Sequence, residues 1–228
     1  MKSKFQTLQT NSDSALCENP IFRGLSGKDL ADAKEFFSLY EKSYLKDELI
    51  KMPGDSMTSF GIVIHGSVIV YMEDADGNQI IMANVLSSEA FGEALCFLEA
   101  SDISIYIRAF SDCRIAWLST DNIKKRGALQ NPLFVSLNTR YISMLSERML
   151  AMNDRIQILS KSSLRQKLLT FFSQCERKSG KNTFDTAMSR HDLSVYLGVD
   201  RSALSRELSK MRKEGILEFY KSSFKLLK

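Results

Sequence analysis

Residues 189–215 read SRHDLSVYLGVDRSALSRELSKMRKEG. The spacing predicts two short helices that meet at Gly198-Val199-Asp200. The first carries Leu193, Val195, Tyr196 and Leu197 as its apolar face. Ser189 opens it with Asp192 three residues on, a capping-box spacing with Asp in place of the usual Glu. Gly198 accepts the positive φ that a β-carbon resists. Asp200 is an N-cap whose carboxylate accepts a free backbone N–H of the second helix. That helix, Asp200–Glu214, places Leu204, Leu208 and Met211 at i, i+4 and i+7, so one stripe faces inward. Its other side is Arg201, Ser202, Ser205, Arg206, Ser209 and Arg212. Basic and small polar side chains at a helix start suit a DNA major groove, where an Arg fork matches guanine and hydroxyls reach bases or phosphate. The stretch reads as a helix-turn-helix with Asp200–Glu214 as recognition helix. The competing reading is an αα-hairpin whose outer face is only solvated.

Charge favours the first reading. From Lys161 to Lys228 there are 15 Lys and Arg against 7 Asp and Glu, a net of +8, whereas residues 1–160 hold 16 against 20, a net of −4. A basic C-terminal third beside an acidic N-terminal part points to a polyanionic partner for the former alone. The 228 residues are enough for one large domain or two small ones. Cys17, Cys96, Cys113 and Cys175 are too far apart for a CxxC metal site and read as buried free thiols. With no signal peptide and no apolar run near the ~18 residues of a membrane span, a cytoplasmic location is expected. The polar start, MKSKFQTLQTNSDS, predicts little ordered structure.

Residues about 15–45 read as short helices, one of them started by Ser26-Gly27-Lys28-Asp29 and burying Leu30, Ala33, Phe36 and Phe37. From Lys46 to Ser119 the texture changes to short apolar blocks: Leu49–Ile50, Ile62–Ile64, Val68–Val70, Ile80–Ile81, Ile103/Ile105/Ile107 and Ile115/Trp117. Turn signals at Pro53-Gly54-Asp55, His65-Gly66-Ser67 and Asp74–Asn78 separate them, so an antiparallel barrel or double-sheet jelly roll is expected. Phe91-Gly92-Glu93-Ala94-Leu95 is either a barrel corner, the favoured reading, or a backbone cradle for a ligand. After Asn131-Pro132 a long helical pattern runs from Leu133 to about Ser160. Ile142, Leu145, Met149, Met152, Ile156 and Leu159 recur in steps of 3 and 4, a heptad seam expected to join two copies of the chain. Phe134, Leu137, Tyr141 and Met144 form a second apolar line beside it. Ser160–Ser163 reads as a hinge, and Leu164, Leu168, Leu169, Phe171 and Phe172 as the first helix of the C-terminal domain. Lys178–Asn182 is an expected loop. Residues 216–220 and 224–227 flank Lys221-Ser222-Ser223 as a hairpin, a wing whose Lys221 would touch phosphate.

A β-roll, a long dimer helix and a winged helix-turn-helix, in this order and length, resemble the CRP/FNR family of bacterial transcription regulators. The resemblance covers nearly the whole chain. It is carried by HGSVIVYMEDADGNQIIM, by Phe91-Gly92-Glu93 and by SRHDLSVYLGVDRSALSRELSKMRKEGIL. It implies an α+β chain of three parts: an effector-sensing roll over 1–130, a dimerisation helix and hinge over 131–160, and a DNA-binding winged helix-turn-helix over 161–228. Arg201, Ser202 and Arg206 match the base-reading positions, where the catabolite-activator pattern has Arg, Glu and Arg. Ser202 in place of Glu implies a different operator half-site. Ser189 and Arg190 match phosphate-holding positions, and Ser205 shares the DNA-facing side. Implied partners are a pseudo-palindromic operator, a second copy of the chain and, for an activator, RNA polymerase.

On the ligand side, Gly92, Glu93, Ala94, Ile103, Ser104, Arg108 and Met149 are the expected effector pocket, and an unidentified small molecule, or none, is the expected ligand. Cyclic-nucleotide-binding members follow Gly-Glu with an Arg-Ser that neutralises the cyclic phosphate, and Ile103-Ser104 stands there in this chain. An apolar side chain cannot offset a buried phosphate charge, which argues against cAMP. A lone Cys17 near the N-terminus argues against an iron–sulfur cluster. The placement of the two histidines, His65 in a turn and His191 in the DNA-binding part, argues against haem. No Walker loop, metal-ligand cluster or nucleophile elbow is present, and no enzyme is expected. The alternative is a small-molecule-binding module whose helical tail contacts protein.

Overall fold

The structure, a computed structural model, describes residues 12–77, 79–125, 131–186 and 188–227. The expected disorder of residues 1–11, Asn78 of the hairpin turn and the expected domain break at residue 130 lie outside the described residues. The chain divides into two compact units, Met1–Ser146 and Glu147–Lys228.

The first unit opens with α1 (residues 12–18) and α2 (Gly27–Phe36). Leu30, Ala33, Phe36 and Phe37 are buried as the spacing predicts. Two four-stranded sheets follow, with every described pairing antiparallel. One runs β1 (Tyr40–Tyr44), β8 (Cys113–Ser119), β3 (Ser59–His65), β6 (Ala90–Phe91); the other runs β2 (Leu49–Lys51), β7 (Tyr106–Ala109), β4 (Val68–Glu73), β5 (Gln79–Val85). The central strands β3 and β8 are buried on both faces, which is why they read as apolar blocks rather than clean alternation. Trp117 is fixed among them by an indole N–H that donates to the Tyr44 hydroxyl at 3.1 Å. The β4–β5 turn forms as expected: Gly77 takes φ 81°, and its N–H donates to the Asp74 carbonyl. A short α3 (Glu93–Phe97) lies between β6 and β7, and α4 (Asp121–Lys124) follows β8.

Three expectations for this unit need correction. Residues 40–44 are strand β1, not helix, and residues 12–14 of the supposedly disordered start are helical. Four of the five β1 residues are exposed, so the strand carries no alternating signal. Ile103 and Ile105 precede β7 instead of lying in it.

Helix α5 (Pro132–Leu159) starts where Asn131 Oδ1 accepts the Leu133 N–H. Leu137, Tyr141 and Met144 are buried in the core of the first unit, and Ile158 in that of the second. The remaining face leaves Ile142, Met149, Met152 and Ile156 each about 60% exposed. Leu159 is 42% exposed, whereas Leu145 is half-buried against the roll.

In the second unit α6 (Leu164–Ser179) is capped by Ser163, whose hydroxyl accepts the Gln166 N–H, and ends at left-handed Gly180. Then come β9 (Thr183–Asp185), α7 (Arg190–Leu197), α8 (Arg201–Lys213), β10 (Leu217–Tyr220) and β11 (Ser223–Leu226). Leu168, Phe172, Leu193, Leu197, Leu204, Leu208, Met211, Leu217 and Phe224 form its core. The wing is a sheet of three strands in the order β10-β11-β9, not a lone hairpin. β9 offers only Phe184 to the core, too little for a sequence signal. Leu169 and Val195, expected inward, are 41% and 60% exposed. The cysteines are unpaired, and burial raises each thiol pKa, that of Cys113 to about 11, so they behave as packing groups.

Leu208→Ala is expected to destabilise the second unit by about 2–5 kcal/mol, since it opens a cavity between α7, α8 and the wing. Val195→Ala should stay within about 0.5 kcal/mol. Denaturant unfolding followed by circular dichroism separates the two.

Candidate nucleic-acid interface

The two helices of the C-terminal stretch are capped as their sequence dictates. Ser189 Oγ accepts the Asp192 N–H at 3.1 Å, and the Asp192 carboxylate accepts the Ser189 N–H at 3.1 Å. Gly198 closes α7 with φ 63°. Asp200 Oδ1 accepts the N–H groups of Ser202 and Ala203 at 2.8 and 3.0 Å. These hydrogen bonds to the ionised forms hold both carboxylates below their usual pKa, with the serine side-chain bonds of Ser189 and Ser202 the largest causes. Leu204, Leu208 and Met211 turn inward, so Arg201, Ser202, Ser205, Arg206 and Ser209 are left on the exposed face of α8.

A cleft of about 580 Å³ opens beside the start of α8, lined by Asp185, Met188, Ser189, Arg190, Arg201, Lys221 and Ser222. It brings together four of the seven expected DNA-binding residues: Ser189 from the N-terminus of α7, Arg190 next to it, Arg201 from α8 and Lys221 from the wing turn. Lys221 has φ 51° there, and its ammonium lies over the Tyr220 ring. The Arg190 guanidinium lies 4.8 Å from the ring centroids of both Phe219 and Phe224. Desolvation there lowers its pKa, and the rings supply the compensating attraction. Three cations and a helix N-terminus around one cleft suit a phosphate group, while Asp185 at the edge opposes it. Ser205 and Arg206 lie in a second groove of about 430 Å³ along α8, with Ser209, Lys210 and Lys213. The Ser205 hydroxyl donates back to the Arg201 carbonyl.

Sequence reasoning missed Arg165. From α6 its Nε donates to Glu207 at 2.6 Å, and its two Nη atoms donate to Glu214 at 2.7 and 3.0 Å. The fork holds the recognition helix at two points seven residues apart. Arg165 beside Glu214 lowers that carboxyl's pKa and raises its own. The only signal was two acids at i and i+7 on α8, whose partner lies 42 residues upstream.

In the roll, the expected effector residues have mixed positions. Gly92 has φ 75°, and a β-carbon there would come within 2.1 Å of the buried Met57 methyl. Glu93 is buried at the start of α3, and its carbonyl accepts the Tyr141 hydroxyl at 2.7 Å. Gly92 and Glu93 thus serve the corner and its junction with α5. Ile103 is 1% exposed and belongs to the core, while Ala94 and Ser104 face solvent. Arg108 sits over the Tyr71 ring and 3.7 Å from Asp47, and its Nε is buried without a hydrogen-bond partner. Met149 is an exposed residue of α5 in the second unit. Among the described residues no cluster of His, Cys, Asp and Glu suits a metal ion, and no helix is long and apolar enough to cross a membrane.

Comparison with known proteins bears on both units. Residues 41–126 match the cyclic nucleotide-binding domain, and residues 164–228 match the Crp-like helix-turn-helix domain. The chain belongs to the CRP/FNR family. Relatives of this CRP/FNR chain include the cAMP-activated global transcriptional regulator Vfr of Pseudomonas aeruginosa, 20% identical over 78% of this chain and 85% of that protein. The cAMP-activated regulator CRP of Pasteurella multocida is 21% identical over 72% and 78%. Among solved structures, a CooA mutant from Carboxydothermus hydrogenoformans shares the fold with a TM-score of 0.54, at 20% identity over 90% of this chain and 88% of that one. This CRP/FNR member is therefore a DNA-binding transcription regulator with a cyclic-nucleotide-binding-like roll, and the alternative of a tail for protein contact gains no support.

Removing the Arg165 fork is expected to loosen α8. Arg165→Ala should lower the thermal midpoint of the second unit, and Arg165→Lys should recover only part of the loss, because one ammonium cannot span both acids. Hydrogen exchange of the α8 amides measures this directly.

Proposed function

We propose that this regulator binds a pseudo-palindromic operator as a homodimer, under control of a small molecule other than cAMP. What carries the proposal is the convergence of Ser189, Arg190, Arg201 and Lys221 on one cleft beside an exposed Arg–Ser face. In this reading Arg201 and Arg206 read guanines from the major groove, and Ser202 and Ser205 share that face of α8. Ser189, Arg190 and Lys221 hold the backbone and set the register. Residues 1–130 sense, 131–160 dimerise and 161–228 bind DNA. The site of action is the cytoplasm, where the DNA is, and an activating role would add RNA polymerase as a partner.

The dimer proposal rests on the unpartnered face of α5. Val135, Ile142, Met149 and Ile156 recur every seven residues and are all exposed, with Met152 and Leu159 beside them. A second copy would cover this stripe as a coiled coil. The effector proposal rests on Ile103, a core side chain where cyclic-nucleotide binders have a cation. A neutral, weakly polar ligand near Gly92, Glu93, Ile103, Ser104 and Arg108 meets no such cost. The proposed switch is a change along α5 and at Ser160–Ser163 that resets the spacing of the two recognition helices, driven by a ligand with different affinity for two states.

Selection of randomised duplex DNA on the purified protein tests the reading. A two-fold symmetric winner, bound far more tightly than random DNA, is the expected result, and no enrichment with or without cell extract would count against it. On that operator, Arg206→Ala should cost roughly 1–3 kcal/mol and relax one base pair, whereas Lys221→Ala should weaken all sequences alike and lower the salt slope by about 1. Ile156→Lys, at a side chain 60% exposed, should convert the dimer to a monomer by light scattering while leaving the circular dichroism spectrum unchanged.

A further inference from the structure

Ser202 occupies the position where the catabolite-activator pattern has a base-reading glutamate, and its hydrogen bonds point to another task. Its hydroxyl donates to Asp200 Oδ1 at 2.5 Å and accepts from Arg206 Nη1 at 3.1 Å. A serine hydroxyl has one hydrogen and two lone pairs. The hydrogen is held by a carboxylate, so none remains for an acceptor on a base, and one lone pair already faces the guanidinium. Asp200 cannot easily release it, because the same Oδ1 also takes two backbone N–H groups as the cap of α8. The three side chains thus form a line from the helix cap to its second turn, with a charged group at each end and the hydroxyl between them. Such charge-assisted bonds are the stronger kind.

Arg206 is exposed, and an exposed arginine otherwise samples many rotamers. A two-bond fork on guanine needs one of them. Ordering the guanidinium before DNA arrives removes part of that entropic cost and narrows the set of bases the fork can satisfy. We propose that Ser202, together with Asp200, is a positioning residue that sets Arg206 for one guanine, and that it does not read a base pair of its own. The inference deepens the operator reading above and rests on Arg206 being a base reader.

The test uses the full-length protein and its selected operator. Affinities are measured for wild type, Arg206→Ala, Ser202→Ala, Ser202→Thr and Asp200→Asn, on a panel of half-sites that each carry one changed base pair. Arg206→Ala first identifies the base pair that Arg206 reads. Ser202→Ala is expected to lose about tenfold in discrimination at that same base pair, the scale of one charge-assisted hydrogen bond, and to leave its neighbours unchanged. Asp200→Asn keeps a capping oxygen and should shift the same position in the same direction. Ser202→Thr keeps the hydroxyl and should restore wild-type preference. Relaxation by Ser202→Ala at a different base pair would make Ser202 a reader in its own right and overturn the proposal. So would unchanged preference throughout, with Arg206→Ala still showing its effect. If Arg206→Ala itself alters no base preference, the underlying reading of Arg206 falls, and this one falls with it.

Discussion

The burial of Leu204, Leu208 and Met211 is the constraint on which the DNA-facing surface depends. An α-helix rotated by one residue would turn its whole outer face by about 100°. The three side chains are at most 1% exposed, so the rotation of α8 about its axis is fixed by the core. Everything that reaches outward then follows from sequence spacing: Arg201, Ser202, Ser205 and Arg206 share one side because the stripe occupies the other. The Arg165 fork adds a second restraint of a different kind, holding the middle and the C-terminal end of α8 to α6 through Glu207 and Glu214. Apolar burial sets the face, and charged hydrogen bonds set the direction of the axis.

The C-terminal unit was the most legible part of the chain, for reasons local to it. Caps act over three residues, so Ser189/Asp192 and Asp200 announce their helices without knowledge of the rest of the fold. The heptad spacing of α5 and the Asp-Gly turn of the β4–β5 hairpin are local in the same sense. What was missed depends on distant partners. Strand β1 exists because β8 offers it an edge, and its own residues are mostly exposed. Strand β9 pairs with β11 nearly forty residues later. The Arg165 fork and the seat of Arg190 on Phe219 and Phe224 are likewise contacts across sequence distance. Val195 and Leu169 misled for the opposite reason: each is apolar and helical, yet lies just off the buried stripe.

In the roll, the Gly92-Glu93 corner separates into architecture and chemistry. Gly92 is needed where it stands because the backbone is left-handed and the Met57 methyl fills the space of a β-carbon. The backbone carbonyl of residue 93 accepts the Tyr141 hydroxyl on α5, a bond that any residue there would supply. Gly92 is thus accounted for by the fold, and residue 93 ties the corner to α5 through its backbone. Ile103 is the informative position, because a core side chain and a phosphate-binding cation are mutually exclusive at one site. Burying a cation there without an anion would destabilise the roll, and burying an anion beside isoleucine would repel the ligand. The family's architecture is thus retained with an apolar core side chain at position 103.

Helix α5 belongs to both units. Its buried line, Leu137, Tyr141 and Met144, ties the helix to the same corner that Gly92 and Glu93 build. Its other line, from Ile142 to Ile156, remains exposed. A change at the corner would reach the start of the exposed line, because Tyr141 and Ile142 are neighbours on one helix and a local rotation that moves one moves the other. In the dimer proposed above, an effector in the roll would therefore need no contact with DNA to alter how two copies of α5 meet.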